Sequence, residues 1–340
     1  MTDYRNLKLR TTSSPHIRVA EDTRSIMLDV IIALVPALAF ACWNFGFRAL
    51  VVTGVSAAGC VFWEWLYRAL LKKPTSVGDL SAVVTGILLA FVCPVQISYW
   101  QILIGDFFAI VIAKQLFGGI GKNLMNPALA ARAFLLASWT GTMTTWAASG
   151  TRAAIFGSNA ELFTAAAPLS YMRGTDLVTS FQALTSQVSL SGLFVGRVSG
   201  PLGEVSALML LLGGVYLLAR RVITWQIPVC YLGTVAVLTA LFPRGNHPVE
   251  WTLYSVLGGG VMLGAFFLAT DYTSSPVTGM GRAVYGIGCG AFTVLIQYFG
   301  TAGEGAGYAI LIMNCFAPLI DKGLRPSHAG EARPGKEAAK

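Results

Sequence analysis

Long apolar runs alternate with short polar connections along most of the chain, beginning near residue 25. The runs are continuous and do not switch between apolar and polar residues at every second position. They therefore predict helices rather than the strands of a barrel. A helix that crosses a membrane needs about 20 apolar residues, because each residue adds ~1.5 Å of length. Such segments are predicted over residues 25–45, 47–67, 79–97, 98–118, 127–147, 203–219, 222–242, 251–270, 283–299 and 306–321.

The composition agrees with a protein that lies in a membrane. Of the 340 residues, 55% are hydrophobic and 12% are charged, whereas a soluble domain has about 25% charged residues. Lipid offers no hydrogen-bond partners, so spanning segments satisfy their backbone groups within helices. We therefore expect an all-α polytopic membrane protein with about ten transmembrane helices. The six cysteines lack the paired spacing of a metal or iron–sulfur site, so we predict no metal centre.

The net charge of +8 could indicate an acidic partner, but the positions of the basic residues favour another explanation. If there are ten spans, most lysines and arginines fall on the same side of the membrane as both chain ends. Loops rich in Lys and Arg stay in the cytoplasm. The distribution predicts cytoplasmic termini and a chain whose surroundings are the lipid bilayer, with no nucleic acid as a partner.

A long polar stretch separates two groups of five predicted spans. Residues 115–121 and 297–303 both read Gln-x-Phe-Gly-x-x-Gly and close the fourth span of each group. An odd number of spans per half inverts the second half, and inverted halves build sites between them. We predict two inverted five-helix repeats, with chance similarity as the alternative. The predicted regions are an N-terminal cytoplasmic segment (1–24), the first half (25–147), an external loop (148–202), the second half (203–321) and a cytoplasmic tail (322–340).

Four acidic residues lie in or beside predicted spans, where carboxylates are costly and tend to mark ion paths. Asp79 and Glu204 both occur in a Gly, acid, apolar, Ser, Ala pattern that we predict to be a first helical turn. A carboxylate there can instead accept a hydrogen bond from an N-terminal amide. Asp106 lies inside the fourth span, and Asp271 closes the eighth. All four are candidates for an ion path, and a structural role is the alternative for each.

Other polar residues suggest a binding site. Asn126 suits the N-cap of a helix that begins with Pro127. Arg132 lies within the same apolar run and needs an anionic or carbonyl partner. Residues 270–278 form a polar cluster that either makes a turn or binds a ligand. Gly121 and Lys122 resemble the end of a phosphate loop, but the next residue is Asn rather than Ser or Thr, which excludes a nucleoside triphosphate site.

Taken together, these runs resemble the RnfD/NqrB family of membrane proteins, which belong to the Rnf electron-transport complex and to the related sodium-pumping quinone reductase. The resemblance extends over nearly the whole chain, and the length is similar to the Rnf member. The matching residues are Ser14-Pro15-His16 and the segments 78–82, 118–134, 203–207 and 269–277, with weaker matches at 222–225 and 313–321.

The resemblance implies a translocase subunit that is not an enzyme alone. It implies electron transport between ferredoxin and NAD coupled to sodium or proton translocation in the cytoplasmic (inner) membrane. The partners would be other Rnf-type membrane, flavoprotein and iron–sulfur subunits. The protein would position a flavin and tune its potential, while the redox chemistry belongs to the cofactor.

The resemblance also raises a question about the flavin. In the family, FMN is joined by a phosphoester to the Thr of a Ser/Thr-Gly-Ala-Thr-Pro-Leu run. The corresponding run here is Thr164-Ala165-Ala166-Ala167-Pro168-Leu169. Ala167 stands at the acceptor position and has no hydroxyl, so we expect FMN, or riboflavin, to bind without a covalent bond. The candidate cofactor-binding residues are Asn126, Arg132, Thr164, Thr270, Asp271, Thr273 and Ser274.

Two other functions remain open from the sequence. The first is a redox-independent transporter or channel with the same inverted repeat, which would use Asp79, Asp106, Glu204 and Asp271 as ion ligands. The second is a scaffold subunit of the complex that has lost its flavin. Ion uptake that requires an electron donor would separate the redox function from the first alternative.

Overall fold

The structure, a computed structural model, describes residues 22–155, 185, 188–244, 247–258, 260–300 and 305–324. Within these ranges every regular element is a helix. The prediction of an all-α fold is therefore confirmed for this part of the chain. Ser14-Pro15-His16, Thr164 and Ala167 lie outside the described residues, as do most of the predicted external loop and cytoplasmic tail.

The first half contains two long helices followed by shorter ones. A 3₁₀ turn, Val77–Asp79, precedes the third helix, and the fourth continues without a break into a π-helical stretch, Phe108–Gln115. We call this stretch the first π segment. The helices are α1 (Thr23–Phe45), α2 (Phe47–Leu70), α3 (Ser81–Phe91), α4 (Tyr99–Phe107), α5 (Pro127–Ser138) and α6 (Thr140–Met143).

The second half also contains a π-helical stretch. This second π segment, Gly264–Leu268, continues a short helix that follows a break at Gly260, where the backbone is left-handed with φ of 72°. The helices are α7 (Leu190–Val195), α8 (Ala207–Ala219), α9 (Gln226–Leu241), α10 (Pro248–Leu257), α11 (Val261–Leu263), α12 (Gly279–Phe299) and α13 (Gly305–Gly323).

Ten full-length spans are not confirmed. Among the described residues, α1, α2 and α12 are long and apolar enough to cross a membrane. The bent pair of α10 with residues 261–268, at 59°, makes a fourth if it is one broken span. The predicted span 79–97 contains only the 11 residues of α3, which extend about 16 Å. Pro94 follows closely, and a proline disfavours helical geometry in the residue before it.

The predicted helix starts need one correction. We predict Asp79 and Glu204 within first helical turns, but α3 begins at Ser81 and α8 begins at Ala207. The backbone over residues 198–206 is irregular and almost entirely buried. Irregular backbone inside a membrane is tolerated where protein covers it. Ser206 rather than Glu204 supplies the side-chain cap of α8, accepting from the Met209 backbone amide at 3.4 Å.

The halves pack through two helix pairs, α1 with α8 and α5 with α13. Glycines allow the closest approaches. Gly213 of α8 lies against the Ala33 backbone, where a side chain would collide. In α12, Gly286 and Gly290 lie against the α9 backbone at Ile227 and Tyr231. Small residues let helix backbones approach closely in membranes, so the glycine-rich run 286–290 packs helices.

Candidate functional site

A cleft lies where elements of both halves converge. Its empty volume, including the part open to solvent, is about 760 Å³. The first π segment contributes Lys114, and the second contributes Phe266 and Phe267. π-helical turns are rare and occur frequently at functional sites. Each half therefore contributes residues of a π segment to the lining of the cleft.

The cleft has apolar walls and a polar edge. Leu88, Leu217 and Val222 line it together with the two phenylalanines. The polar edge is formed by residues that the sequence suggested for cofactor binding and by neighbours that it did not. These residues are Ser81, Thr85, Lys114, Asn123, Asn126, Thr270, Asp271 and Thr273.

Asn126 joins the halves at the cleft. Its Oδ1 accepts from the backbone amides of Ala128 at 3.0 Å and Leu129 at 3.4 Å, which confirms the predicted N-cap. Its Nδ2 donates to the Leu268 carbonyl at the end of the second π segment, at 3.1 Å. Because both ends of this amide are engaged, Asn126 holds the start of α5 against the other half.

The polar cluster after the second π segment is organised by Asp271. Its Oδ2 accepts from the hydroxyls of Thr273 at 2.8 Å and Ser274 at 3.0 Å. Thr270 donates its hydroxyl to the Phe266 carbonyl at 2.7 Å, and the Tyr272 hydroxyl donates to the Val222 carbonyl. From the sequence, residues 270–278 could form either a turn or a ligand site. The structure has a side-chain-stabilised turn that also faces the cleft.

Ser274 faces a second cleft that also includes Lys122 and Asp321, with an empty volume of about 750 Å³ including the part open to solvent. Asn314 of α13 lies at its wall and is fully buried. Its side-chain amide is 3.0 Å from the Asn126 backbone nitrogen and 3.3 Å from the Ser274 carbonyl oxygen, so it can accept from the first and donate to the second. Asn314 thereby connects α5, α13 and the polar cluster.

Arg132 and Glu204 lie elsewhere. Arg132 lines a small hollow with Leu129 and Gly307, at the contact of α5 with α13. The Glu204 carboxylate is enclosed by protein beside Gly260, where any Cβ would collide with its oxygens. The absence of a side chain at Gly260 thus leaves room for this acid. Neither residue lines the cleft that Asn126, Thr270, Asp271 and Thr273 share.

A buried charged cluster at the end of α2 was not among the predicted site residues. Glu64 is fully buried, and its Oε2 accepts from Lys114 Nζ at 3.3 Å. Its Oε1 accepts from Ser76 Oγ at 2.6 Å and Gln115 Nε2 at 2.7 Å. The sequence does contain a signal for this pair, because Glu64 and Lys114 are an acid and a base that each lie within an apolar run.

Asp79 belongs to the edge of this cluster. Its Oδ1 accepts from the Ser81 backbone amide at 2.9 Å and from the Ser81 hydroxyl at 2.6 Å. Lys114 Nζ donates to the same hydroxyl at 2.7 Å. These contacts correspond to the structural alternative for Asp79, in which its carboxylate accepts a hydrogen bond from a backbone amide at the start of a helix.

Asp106 of α4 is fully buried against α2. Ser56 Oγ lies 2.6 Å from its Oδ1, and Cys60 Sγ lies 3.3 Å from the same oxygen. Its Oδ2 has no hydrogen-bond partner in the part of the chain that is described. Gly59 of α2 leaves room for the Asp106 carboxyl group, because a Cβ at this position would lie 2.5 Å from Oδ2.

The chemistry of the first cleft suits a flat aromatic group with one apolar and one polar edge. Phenylalanine and aliphatic walls pack against ring faces, and hydroxyl, amide and ammonium groups can pair with ring nitrogens and carbonyls. Ligand sites typically combine such walls with a few placed polar groups. No cluster of three or more His, Cys, Asp or Glu side chains able to hold a metal is found among the described residues.

Known proteins resemble this chain over nearly its whole length. The model of the NQR2, RnfD, RnfE family matches residues 10–330. The D subunit of the Na(+)-translocating ferredoxin:NAD(+) oxidoreductase complex of Acetobacterium woodii is 45% identical over 332 residues, covering 98% of each chain. The proton-translocating counterpart of Clostridium ljungdahlii is 39% identical, covering 95% of this chain and 96% of its own.

A third relative is the D subunit of the ion-translocating oxidoreductase complex of Halorhodospira halophila. It is 36% identical over 346 residues and covers 95% of this chain and 96% of its own. The family match, the long apolar helices and the length of the alignments agree with a multi-pass membrane protein. This chain belongs to the NQR2, RnfD, RnfE family.

Proposed function

We propose that this protein is a membrane subunit of an electron-transport complex that couples ferredoxin:NAD oxidoreduction to ion translocation. The relatives named above are subunits of such complexes, and they match almost end to end. The partners are then the other membrane, flavoprotein and iron–sulfur subunits, and the location is the cytoplasmic membrane. Because one relative is named for sodium and another for protons, the transported ion is left to experiment.

The proposal includes ten membrane passes in two inverted halves with cytoplasmic termini. Several passes are then short helices completed by irregular backbone, as in transporters whose sites lie between inverted repeats. The repeated motif supports this arrangement, because Gln115 ends the first π segment and Gln297 lies near the end of α12. Residues of both π segments line the cleft, which supports a site between the two repeats.

The cleft is the proposed site of a flavin, FMN or riboflavin, held without a covalent bond. The observation that carries this proposal is the convergence of Asn126, Thr270, Asp271 and Thr273 with two phenylalanines in one cleft. When bound, a flavin supplies one-electron transfer. The chain would pack Phe266 and Phe267 against the ring. The Thr273 hydroxyl, whose hydrogen is donated to Asp271, would accept from the ring, and the Lys114 ammonium would donate its remaining hydrogen.

The first experiment measures the flavin content of the intact complex. A denaturing gel viewed under ultraviolet light reports covalent flavin at the mass of this protein. Acid extraction followed by chromatography reports released FMN and riboflavin per complex. We expect no fluorescent band at this mass and released flavin in excess of that held by the other subunits. A fluorescent band here would contradict the noncovalent proposal.

A substitution assigns the released flavin to the cleft. Thr273→Val removes a hydroxyl at the polar edge, and we expect flavin affinity to fall about fivefold, the effect of one lost hydrogen bond. Thr252→Val is the matched control, because Thr252 lies on α10, outside the residues that line the cleft, and its hydroxyl donates to the Pro248 carbonyl of the same helix. Equal flavin content in both variants would show that the flavin does not bind in this cleft.

The two other functions give different results in the same complex. A redox-independent transporter would take up ions into vesicles without reduced ferredoxin, whereas the proposed function requires the donor. A scaffold subunit would leave flavin content unchanged on Thr273→Val. For a scaffold that has lost its flavin, Ala167→Thr with the flavin transferase would create a fluorescent band that the wild type lacks.

A further inference from the structure

Asp106 has close contacts that cannot all be satisfied by an ionised carboxylate. Ser56 Oγ lies 2.6 Å from Asp106 Oδ1 and 2.9 Å from the Gly86 carbonyl oxygen. A serine hydroxyl has one hydrogen to donate. If it donates to Asp106, the approach to Gly86 sets lone pairs against each other. If it donates to Gly86, the short contact with Asp106 needs a hydrogen from the carboxyl group.

The surroundings of Asp106 also disfavour a negative charge. The side chain is fully buried, and Oδ2 has no partner among the described residues. No cationic nitrogen of the described residues lies within 4.0 Å of the carboxyl oxygens. An unpaired buried carboxylate is costly and usually neutralises instead. A neutral carbonyl oxygen without a partner costs much less than a carboxylate oxygen in the same place.

The charged and titratable groups on the neighbouring elements do not supply the missing cation. On α2, Cys60 contacts Oδ1 and Glu64 lies one turn further along. Lys114 of the first π segment pairs with that glutamate. Cys93, beyond the end of α3, is neutral when buried. On α5, Arg132 is placed beside Gly307 of α13 rather than beside Asp106.

We propose that Asp106 is a buried proton-binding site that holds its proton as a neutral carboxylic acid. The proton lies on Oδ1 and is donated to Ser56 Oγ, which in turn donates to the Gly86 carbonyl. Cys60 can donate its thiol hydrogen to the same carboxyl oxygen. As part of an ion-translocating subunit, which rests on the proposed function, this is a place inside the first half where a proton is stored. The protonation itself does not depend on the flavin or on transport.

Infrared spectroscopy of the intact complex in membranes tests the proposal. A protonated carboxylic acid has a carbonyl stretch separate from the amide bands, and the stretch shifts in heavy water. We expect this signal at neutral pH in the wild type, with a frequency that moves when the cells are grown on isotopically labelled aspartate. We expect its loss in Asp106→Asn, which keeps the shape of the side chain and can donate to Ser56.

Glu64→Gln is the matched control, because Glu64 is equally buried but has two cations within 4.0 Å and two further hydrogen-bond donors. The aspartate signal should persist in that variant. If Asp106→Asn folds and leaves the signal unchanged, the proposal is overturned. Loss of the wild-type signal when sodium replaces choline would also overturn it, in favour of a sodium ion at these oxygens. A failed flavin experiment would leave the infrared result unaffected.

Discussion

Two buried acidic side chains of neighbouring helices, Glu64 and Asp106, differ in the cations and hydrogen-bond donors around them. Glu64 on α2 receives Lys114, Gln115 and Ser76 and has Arg68 Nε at 3.8 Å. Among the described residues, Asp106 on α4 contacts a hydroxyl and a thiol, and one of its oxygens has no hydrogen-bond partner. The two acids are equally hidden from solvent, so their difference lies in the donors around them.

The comparison shows that burial alone does not define the chemistry of an acid in a membrane protein. A carboxylate with a cation and several donors is stable as an ion, although its desolvation is costly. A carboxyl group without a cation is stable mainly as a neutral acid. The Glu64 cluster is therefore expected to act as a fixed structural pair, and Asp106 as a group that can gain and lose a proton.

The largest effect is expected for Glu64→Gln. The variant leaves the Lys114 ammonium buried without its counter-charge, and breaking a buried pair from one side costs about 3–5 kcal/mol. The expected result is a clearly lower thermal unfolding midpoint of the complex in detergent. Glu64→Gln combined with Lys114→Met should recover much of this loss. A single variant as stable as the wild type would contradict an ionic role for Glu64.

An intermediate effect is expected for Gly59→Ala. The added methyl group would lie 2.5 Å from Asp106 Oδ2 and 2.8 Å from Leu103 Cδ2, and overpacking of this kind costs about 1–3 kcal/mol. Gly54→Ala on the same helix meets nothing within 4 Å. This control should gain up to about 1 kcal/mol from helix propensity. Equal unfolding midpoints for the two variants would mean that α2 and α4 are not closely packed at Asp106.

The smallest effect is expected for Asp106→Asn. An amide can donate to Ser56 as the neutral acid does, so the free energy of unfolding should change by less than about 1 kcal/mol. Denaturant unfolding of Asp106→Asn and Glu64→Gln side by side measures the contrast. A loss in Asp106→Asn as large as that in Glu64→Gln would indicate that both acids are ionised, and the comparison would fail.

The sequence was informative where local chemistry decides the structure. The apolar runs predicted helices, and Asn126 with Pro127 marked the start of α5 correctly. The polar residues after the second π segment were recognised, and four of the suggested residues share a cleft. The predicted helix starts at Asp79 and Glu204 were wrong, because hydropathy alone does not distinguish an α-helix from the 3₁₀ turn at Asp79 or from the buried irregular backbone around Glu204.

Contacts between residues that are distant in the sequence could not be predicted from the hydrophobic pattern. Glu64 and Lys114 are 50 residues apart, and neither lies in a motif that would join them. Residues of both π segments line one cleft because the halves pack together, α1 against α8 and α5 against α13. Asn126, suggested as a ligand, is engaged in capping α5 and binding the Leu268 carbonyl. Arg132 and Glu204 lie outside the cleft.

By itself, the sequence determined that this protein is helical, that it belongs in a membrane and which family it belongs to. These properties follow from composition, continuous apolar runs and short ordered motifs, which are local. The tertiary structure alone decided which acid received a cation. That outcome depends on which helices pack together and on glycines that set their distance, and the free energy of a buried charge changes steeply with the position of its partners.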